Sequence, residues 1–244
     1  MAGSKQLAGK VVLVTGASRG IGYFAAKEAA SRGAHVVAVA RTVGGLEELD
    51  DEIQAQGGTT TLVPLDLADG DAIDRLGAAI FERWGALDGL VANAGALGTL
   101  SPVPHLSPEE FDRTFRLNVT ANFRLIRSMD LLLRQAPAGR AAFVSSGAAR
   151  SARPYWGLYA ATKAALEALV KSYAGEMQTT SVRTNVFNPG PVRTAMRAKA
   201  MPGEDPDTLP PPSDIAPSLI DMIAPGYAEN GMLFSFPTKE LKAL

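Results

Sequence analysis

Two tyrosines in this chain stand four residues ahead of a lysine, Tyr159 before Lys163 and Tyr23 before Lys27, and such a pair is suited to proton transfer. A free phenol titrates near pH ~10, too high for ready exchange at neutrality. An ammonium group close by favours the phenolate, and each unit of lowering is worth about 1.4 kcal/mol. Residues four apart on a helix share a face, so both pairs meet the geometric condition if their segments are helical. Reduction of a carbonyl needs a group of this kind. Hydride arriving at carbon builds negative charge on oxygen, and a proton donor with a second hydrogen bond lowers that barrier. Tyr155 has Tyr159 rather than a base four places on, and is expected to line a pocket with Trp156. Spacing alone leaves the two Tyr-Lys pairs equal, although at most one is expected to do chemistry.

A second chemical signal is the run V-V-L-V-T-G-A-S-R-G-I-G at residues 11–22, which sets Gly16, Gly20 and Gly22 between an apolar stretch and a helical pattern. Glycines there let backbone N–H groups approach a phosphate while the helix N-terminus supplies partial positive charge. Gly20, Gly22 and Ala25 also satisfy G-x-G-x-x-A. A bare glycine cluster is often only a tight turn, but its place between strand and helix favours a dinucleotide phosphate site. The next apolar run ends V-V-A-V-A-R-T, with Arg41 where NAD-binding folds carry a ribose-binding acid, and no carboxylate before Glu47. Arg41 with Arg19 would grip a 2′-phosphate, which favours NADP(H) over NAD(H). Asp66 would accept from an adenine amino group or cap the turn before Leu67.

These residues need a scaffold, and the hydrophobic pattern supplies one. Short β-branched runs alternate with helix-patterned segments, which predicts an α/β fold: one Rossmann-type doubly wound domain over residues 1–244, with a seven-stranded parallel sheet and helices on both faces. The expected strands are Val11 to Thr15, His35 to Ala40, Thr60 to Leu65, Leu87 to Ala92, Ala141 to Ser146, Val182 to Asn188 and Met232 to Phe236. Ile73, Leu76, Ile80 and Trp84 recur at helical spacing, as do Leu46, Leu49 and Ile53 on an acidic segment. Ser107-Pro108-Glu109-Glu110 reads as a capping box opening a long helix through Asn118 toward Leu133. Residues Met201 to Pro212 are too rich in proline for helix or inner strand, and a flap over a ligand or a plain surface loop both suit them.

Composition narrows the partners. Twenty-four Lys plus Arg against 25 Asp plus Glu give a net charge of -1, which points away from nucleic acid and anionic membranes. With no cysteine there is no thiolate nucleophile or cysteine-bound metal, and His35 and His105 alone do not make a metal site. The N-terminal residues lead into only four apolar residues, Val11 to Val14, and no stretch suits a membrane helix, so a soluble cytoplasmic protein acting on a small molecule is expected.

The chain resembles the short-chain dehydrogenases/reductases over almost its whole length. The pieces are T-G-A-S-R-G-I-G at 15–22, D-L at 66–67, A-N-A-G at 92–95, Asn118, S-S at 145–146, Y-A-A-T-K at 159–163 and N-P-G-P-V-R-T at 188–194, in the family's order. Ala92 departs from the family's usual asparagine. The resemblance implies that Tyr159 is the acid/base, Lys163 its electrostatic partner and ribose ligand, and Asn118 a backbone-shaping member of a water relay. The family's serine lies thirteen residues before the tyrosine, which selects Ser146; the same count from Tyr23 falls on Lys10, so Tyr23 is left to helix packing. It also implies that Gly16, Ser18, Arg19, Gly20, Ile21, Gly22, Arg41, Asp66 and Leu67 bind the adenosine and phosphate end of the cofactor. Asn93, Ala94, Gly95, Tyr159 and Lys163 would also bind the cofactor, and the segment with Pro189, Gly190, Val192 and Thr194 would meet its nicotinamide carboxamide. Leu97, Trp156, Met196 and a loop over about residues 193–213 would shape an apolar substrate pocket. The expected activity is NADP(H)-dependent interconversion of a carbonyl and a secondary alcohol, the alternatives being an NAD-dependent alcohol dehydrogenase or a catalytically silent nucleotide-binding protein. Family members commonly pair through two long helices, here beginning near Ser107 and Tyr155, so a homodimer or homotetramer is expected.

Overall fold

In the computed structural model, which describes residues 5–244, strands and helices alternate from β1 onward. The strands are β1 (Val11–Thr15), β2 (His35–Ala40), β3 (Thr59–Pro64), β4 (Gly89–Ala92), β5 (Arg140–Val144), β6 (Arg183–Asn188), β7 (Met232–Ser235) and β8 (Glu240–Ala243). They form one sheet in the order β3-β2-β1-β4-β5-β6-β7-β8. β1 to β7 run parallel, and β8 closes the edge antiparallel to β7. The sheet therefore has eight strands where the sequence predicts seven. β8 escapes pattern reading because E-L-K-A has one large apolar residue and all four positions are exposed. Strand order reverses between β1 and β4, the place where open α/β sheets bind ligands beyond their carboxyl ends.

The inner strands are apolar at nearly every position because both faces are covered. On β1, Val12 and Val14 point to one core and Val11 and Leu13 to the other; on β2, Val36 and Ala38 oppose Val37 and Val39 in the same way. The first core is sealed by α1 (Gly20–Ser31), α2 (Val43–Ala55) and α9 (Pro212–Asp221). The second is sealed by α3 (Gly70–Trp84), α5 (Ala121–Gln135) and α7 (Gly157–Glu176). In α3, Asp69 caps through the Ala72 N–H, Gly85 ends the helix in the left-handed region, and Ile73, Leu76 and Ile80 are buried. Each such aliphatic contributes about 1.5–3 kcal/mol of burial.

The long helix predicted from Ser107 is present but interrupted. It runs as α4 (Pro108–Phe115), a π turn over Arg116–Thr120, and α5. Ser107 caps through the Glu110 N–H at 3.2 Å. The Glu110 carboxylate does not complete the capping box; it pairs with Arg113 and accepts from Thr99. Strand five also ends earlier than predicted. The Ser145 N–H still bonds Phe187 O at 2.8 Å, but the Ala149 N–H bonds Ser146 O at 3.1 Å. That turn curls the chain into α6 (Ala148–Ser151), so Ser146 lies two residues beyond β5 instead of at its end. The short helix α8 (Ala195–Ala200) and a 3₁₀ turn over Pro206–Thr208 lie in the loop between β6 and α9.

Candidate active site

Beyond the carboxyl ends of β1, β4, β5 and β6 the predicted residues converge. The β1–α1 turn is built to expose backbone. Gly16 and Gly20 have φ of +68° and +61°, where a side chain would strain the chain. A Cβ on Gly22 would lie 2.3 Å from Gly16 O and 2.4 Å from Asn93 Nδ2, so only glycine lets α1 start this close to the turn. Arg19 at the N-cap makes no side-chain cap, which leaves the first N–H groups of α1 free for an anion. Asn93 fastens the end of β4 to the turn, its Nδ2 donating to Thr15 O at 3.0 Å. Thr15 Oγ1 accepts from the N–H groups of Asn93 and Ala94 at 3.0 and 3.1 Å.

Around this turn lie the other predicted cofactor residues. Ser18 meets the start of α2, where a Cβ on Gly45 would come within 2.7 Å of its carbonyl oxygen, and Ile21 packs on the first core. Arg41 extends into solvent from the end of β2 with Nη1 3.8 Å from Asp66 Oδ2, and Arg19 is exposed beside the turn. The Asp66 carboxylate accepts from the Ala68 N–H at 2.9 Å, which is the turn-capping role, while Leu67 is buried beneath it. From β6, Asn188 Oδ1 accepts from the Gly190 N–H at 3.1 Å, closing a turn with Gly190 at φ +70° between Pro189 and Val192. Thr194 then caps α8 through the Arg197 N–H at 3.2 Å. Its methyl lies 3.7 Å from where a Cβ on Gly20 would sit, so the root of the loop meets the glycine turn. The glycine cradle, the free helix N-terminus and the two exposed arginines fit a dinucleotide bearing an extra phosphate.

The predicted catalytic residues sit on the other side of the switch point. Tyr159 and Lys163 both lie buried on α7, with Lys163 Nζ 5.8 Å from the Tyr159 ring centre. Lys163 Nζ donates to Val144 O at 2.8 Å. Ser146 Oγ accepts from the Ala148 N–H at 3.2 Å, and Ser146 is close enough to the Tyr159 hydroxyl to lower its pKa. Asn118, fully buried in the π turn, clamps Ala96 on both sides: Oδ1 accepts from its N–H and Nδ2 donates to its carbonyl, each at 2.8 Å. Nδ2 also donates to Thr162 Oγ1 at 3.0 Å, and Thr162 donates to Tyr159 O at 2.8 Å. A Cβ on Gly95 would stand 3.2 Å from Asn118 Oδ1 and 3.5 Å from Lys163 Nζ, so these three positions share one small space.

Burial sets the protonation states here. It pushes the Tyr159 hydroxyl up to about 12, against a lowering by Ser146, and pulls the Lys163 amine down to about 8, against a raising by Glu167. Desolvation of the phenolate thus outweighs the lowering expected from a neighbouring ammonium. Tyr159 is therefore a neutral phenol at pH 7. The second Tyr-Lys pair is placed quite differently. Tyr23 is buried in the first core, and Lys27 is paired with Glu52.

Trp156 packs against Tyr159, ring centres 6.1 Å apart, whereas Tyr155, at φ +71°, is largely exposed. Leu97 is buried, and Met196 is exposed on α8. The loop after Thr194 encloses a cleft of about 450 Å³ and is held by Arg193–Asp207 at 2.7 Å and Arg197–Glu204 at 2.5 Å. Sequence reasoning passed over Thr15, Thr162 and Glu167. Thr15 and Thr162 lie inside the T-G-A-S-R-G-I-G and Y-A-A-T-K runs, and Glu167 is marked by its spacing of four from Lys163. Among the described residues there is no cluster able to hold a metal ion, and no helix is long and apolar enough to cross a membrane.

A parallel sheet with this switch point, glycine turn and Ser-Tyr-Lys grouping defines a class of nucleotide-dependent oxidoreductases, and the chain belongs to the short chain dehydrogenase family, whose model matches residues 10–205. It is similar to the uncharacterized oxidoreductase YciK of Escherichia coli K12, at 37% identity over 85% of this chain and 83% of that protein. Among solved structures, a short chain dehydrogenase from Salmonella enterica serovar Typhi superposes with a TM-score of 0.92 at 34% identity, covering 96% of this chain and 98% of the other. A Shigella flexneri structure complexed with NADP superposes with a TM-score of 0.91 at 36% identity, covering 95% and 98%.

Proposed function

We propose that this dehydrogenase/reductase interconverts a carbonyl and a secondary alcohol with NADP(H), using Tyr159 as acid/base. The observation that carries the reading is the meeting of Ser146, Tyr159, Lys163 and Asn118 beside the glycine turn. The chemistry that NADPH supplies when bound is the hydride accepted by the carbonyl carbon. Tyr159 then passes its proton to the carbonyl oxygen, which Ser146 holds by a second hydrogen bond. Lys163 places positive charge beside the phenol and supports the ribose. Asn118 keeps the Ala96 backbone and, through Thr162, the first turn of α7 in place. Gly16, Ser18, Gly20, Ile21 and Gly22 present the diphosphate site, and Arg19 and Arg41 hold the 2′-phosphate. Asp66 and Leu67 border the adenine; Asn93 to Gly95, Pro189, Gly190, Val192 and Thr194 border the nicotinamide half. The NADP-complexed relative supports the cofactor choice.

Tyr159→Phe is expected to lose about 10²–10⁴-fold in kcat while remaining folded, because only the proton donor is removed. The assay is NADPH oxidation with a panel of ketones, aldehydes and 3-oxoacyl thioesters, and full turnover by a folded variant would sink the mechanism. Arg41→Ala is expected to raise KM for NADPH roughly tenfold or more and leave KM for NADH unchanged, as loss of a charge-assisted hydrogen bond costs about 1.5–3 kcal/mol. An unchanged preference would favour the NAD-dependent alternative.

A further inference from the structure

Glu167 is the one carboxylate on α7 that faces the reactive groups, and three contacts define its place. Ser145 Oγ donates to its Oε1 at 2.6 Å. Arg150 Nη1 reaches both carboxylate oxygens, at 2.9 and 2.7 Å. Lys163 lies one helical turn before it on the same face. Ser145 adjoins Ser146, and Arg150 belongs to α6, the short helix that Ser146 leads into. The segment from Ser145 to Trp156 is otherwise held at its two ends, by the Ser145 N–H on Phe187 O at 2.8 Å and the Ser101 N–H on Tyr155 O at 3.0 Å. It is mostly exposed from Arg150 onward, and Ala152 and Tyr155 sit at positive φ of 39° and 71°.

We infer that Glu167 is a positioning residue of this centre: it ties the segment bearing Ser146 to the helix bearing Tyr159 and Lys163, and keeps a negative charge one turn from the Lys163 ammonium. The Glu167 side chain is only 14% exposed, so its charge acts at short range with limited screening. The groups facing Lys163 from each packed element are few. α7 contributes Tyr159 and Glu167, and α6 contributes Arg150 behind Glu167. β5 offers the Val144 carbonyl, while the turn after β4 and the π turn offer neutral Gly95 and Asn118. Burial opposes the ammonium, and Glu167 opposes that effect. The neighbouring Arg150 neutralises part of Glu167.

The role rests on the proposed dehydrogenase mechanism, but its test has an arm that does not. Lys163 is titrated by NMR of its Nζ in the ligand-free protein, with the resonance assigned by Lys163→Arg. Glu167→Gln keeps an acceptor for Ser145 and removes the charge, so the Lys163 midpoint falls by about one unit. Arg150→Ala removes a cation from a half-exposed position without disturbing the core, so the midpoint rises. In turnover with NADPH and a carbonyl, Glu167→Gln loses about tenfold in kcat with KM within about twofold, and the alkaline limb of its pH profile moves down with the Lys163 midpoint. An ion pair that merely braced the fold would leave kcat of a folded Glu167→Gln variant at the parent's level whatever its effect on the Lys163 midpoint. The inference is overturned if the Lys163 midpoint is unmoved or moves the same way in both, or if Glu167→Gln turns over like the parent. Should Glu167→Gln not fold, a Lys163 midpoint that fails to rise in Arg150→Ala overturns it alone. A parent protein that reduces no carbonyl sinks the dehydrogenase reading and leaves the NMR arm to decide on Glu167.

Discussion

Lys163 and Tyr159 carry opposite titration shifts from one cause, since burial penalises whichever form is charged. For Lys163 the folded value of about 8 lies below the ordinary 10.5, so between those values the unfolded chain binds more protons and stability rises with pH. The cost of the buried ammonium is therefore complete below about pH 8 and gone by about 10.5. Lys163→Met is expected to raise the melting temperature at pH 7, with a gain that fades across that window, while turnover is lost. A melting temperature at pH 7 equal to the parent's would show that the ammonium is not penalised. Tyr159 acts with the other sign, its contribution present below pH 10 and lost by about 12. The types of these residues, and the serine thirteen places upstream, were legible in the sequence through the family pattern. Their protonation was not, because desolvation depends on what long-range packing brings around them.

At the scale of elements, Tyr159 and Lys163 ride on α7 itself, while the groups around them are placed by junctions between strands and helices. The β1–α1 turn works only if α1 begins against Gly16 and Asn93, and Gly22 is what permits that approach. Gly22→Ala forces backbone apart and is expected to cost about 1–3 kcal/mol, lowering the melting temperature by roughly 5 °C and weakening dinucleotide binding. Calorimetry together with a fluorescence titration of NADPH measures both, and a variant with unchanged stability would mean the turn relaxes freely. The π turn at Arg116–Thr120 is a second junction. It was invisible in the sequence, where α4 and α5 read as one helix, because a single inserted residue alters hydrogen bonding without altering composition. The third is the β5–α6 turn, which takes Ser146 off the strand and hands Ser145 to Glu167.

At the scale of the molecule, two apolar cores on one sheet leave some large side chains uncovered. Phe123 and Leu131 are exposed on α5, as are Ala164 and Ala168 on α7. The family-based proposal of pairing through these helices predicts that Ala168→Arg with Phe123→Asp yields a lighter species in light scattering, and an unchanged mass would exclude that face. The sequence by itself determined the alternation of strands and helices, the parallel sheet and the glycine turn, because periodicity and turn residues act within one element and its neighbours. Tertiary structure decided the rest. It added β8, whose exposed E-L-K-A carries no hydrophobic period, and it packed Tyr23 into the first core while setting the equally buried Tyr159 beside Trp156 and Lys163. It also brought Glu167 against Ser145 and Arg150, since contacts between residues 17 to 22 apart follow from how a strand, a turn and a helix pack, which no local spacing encodes.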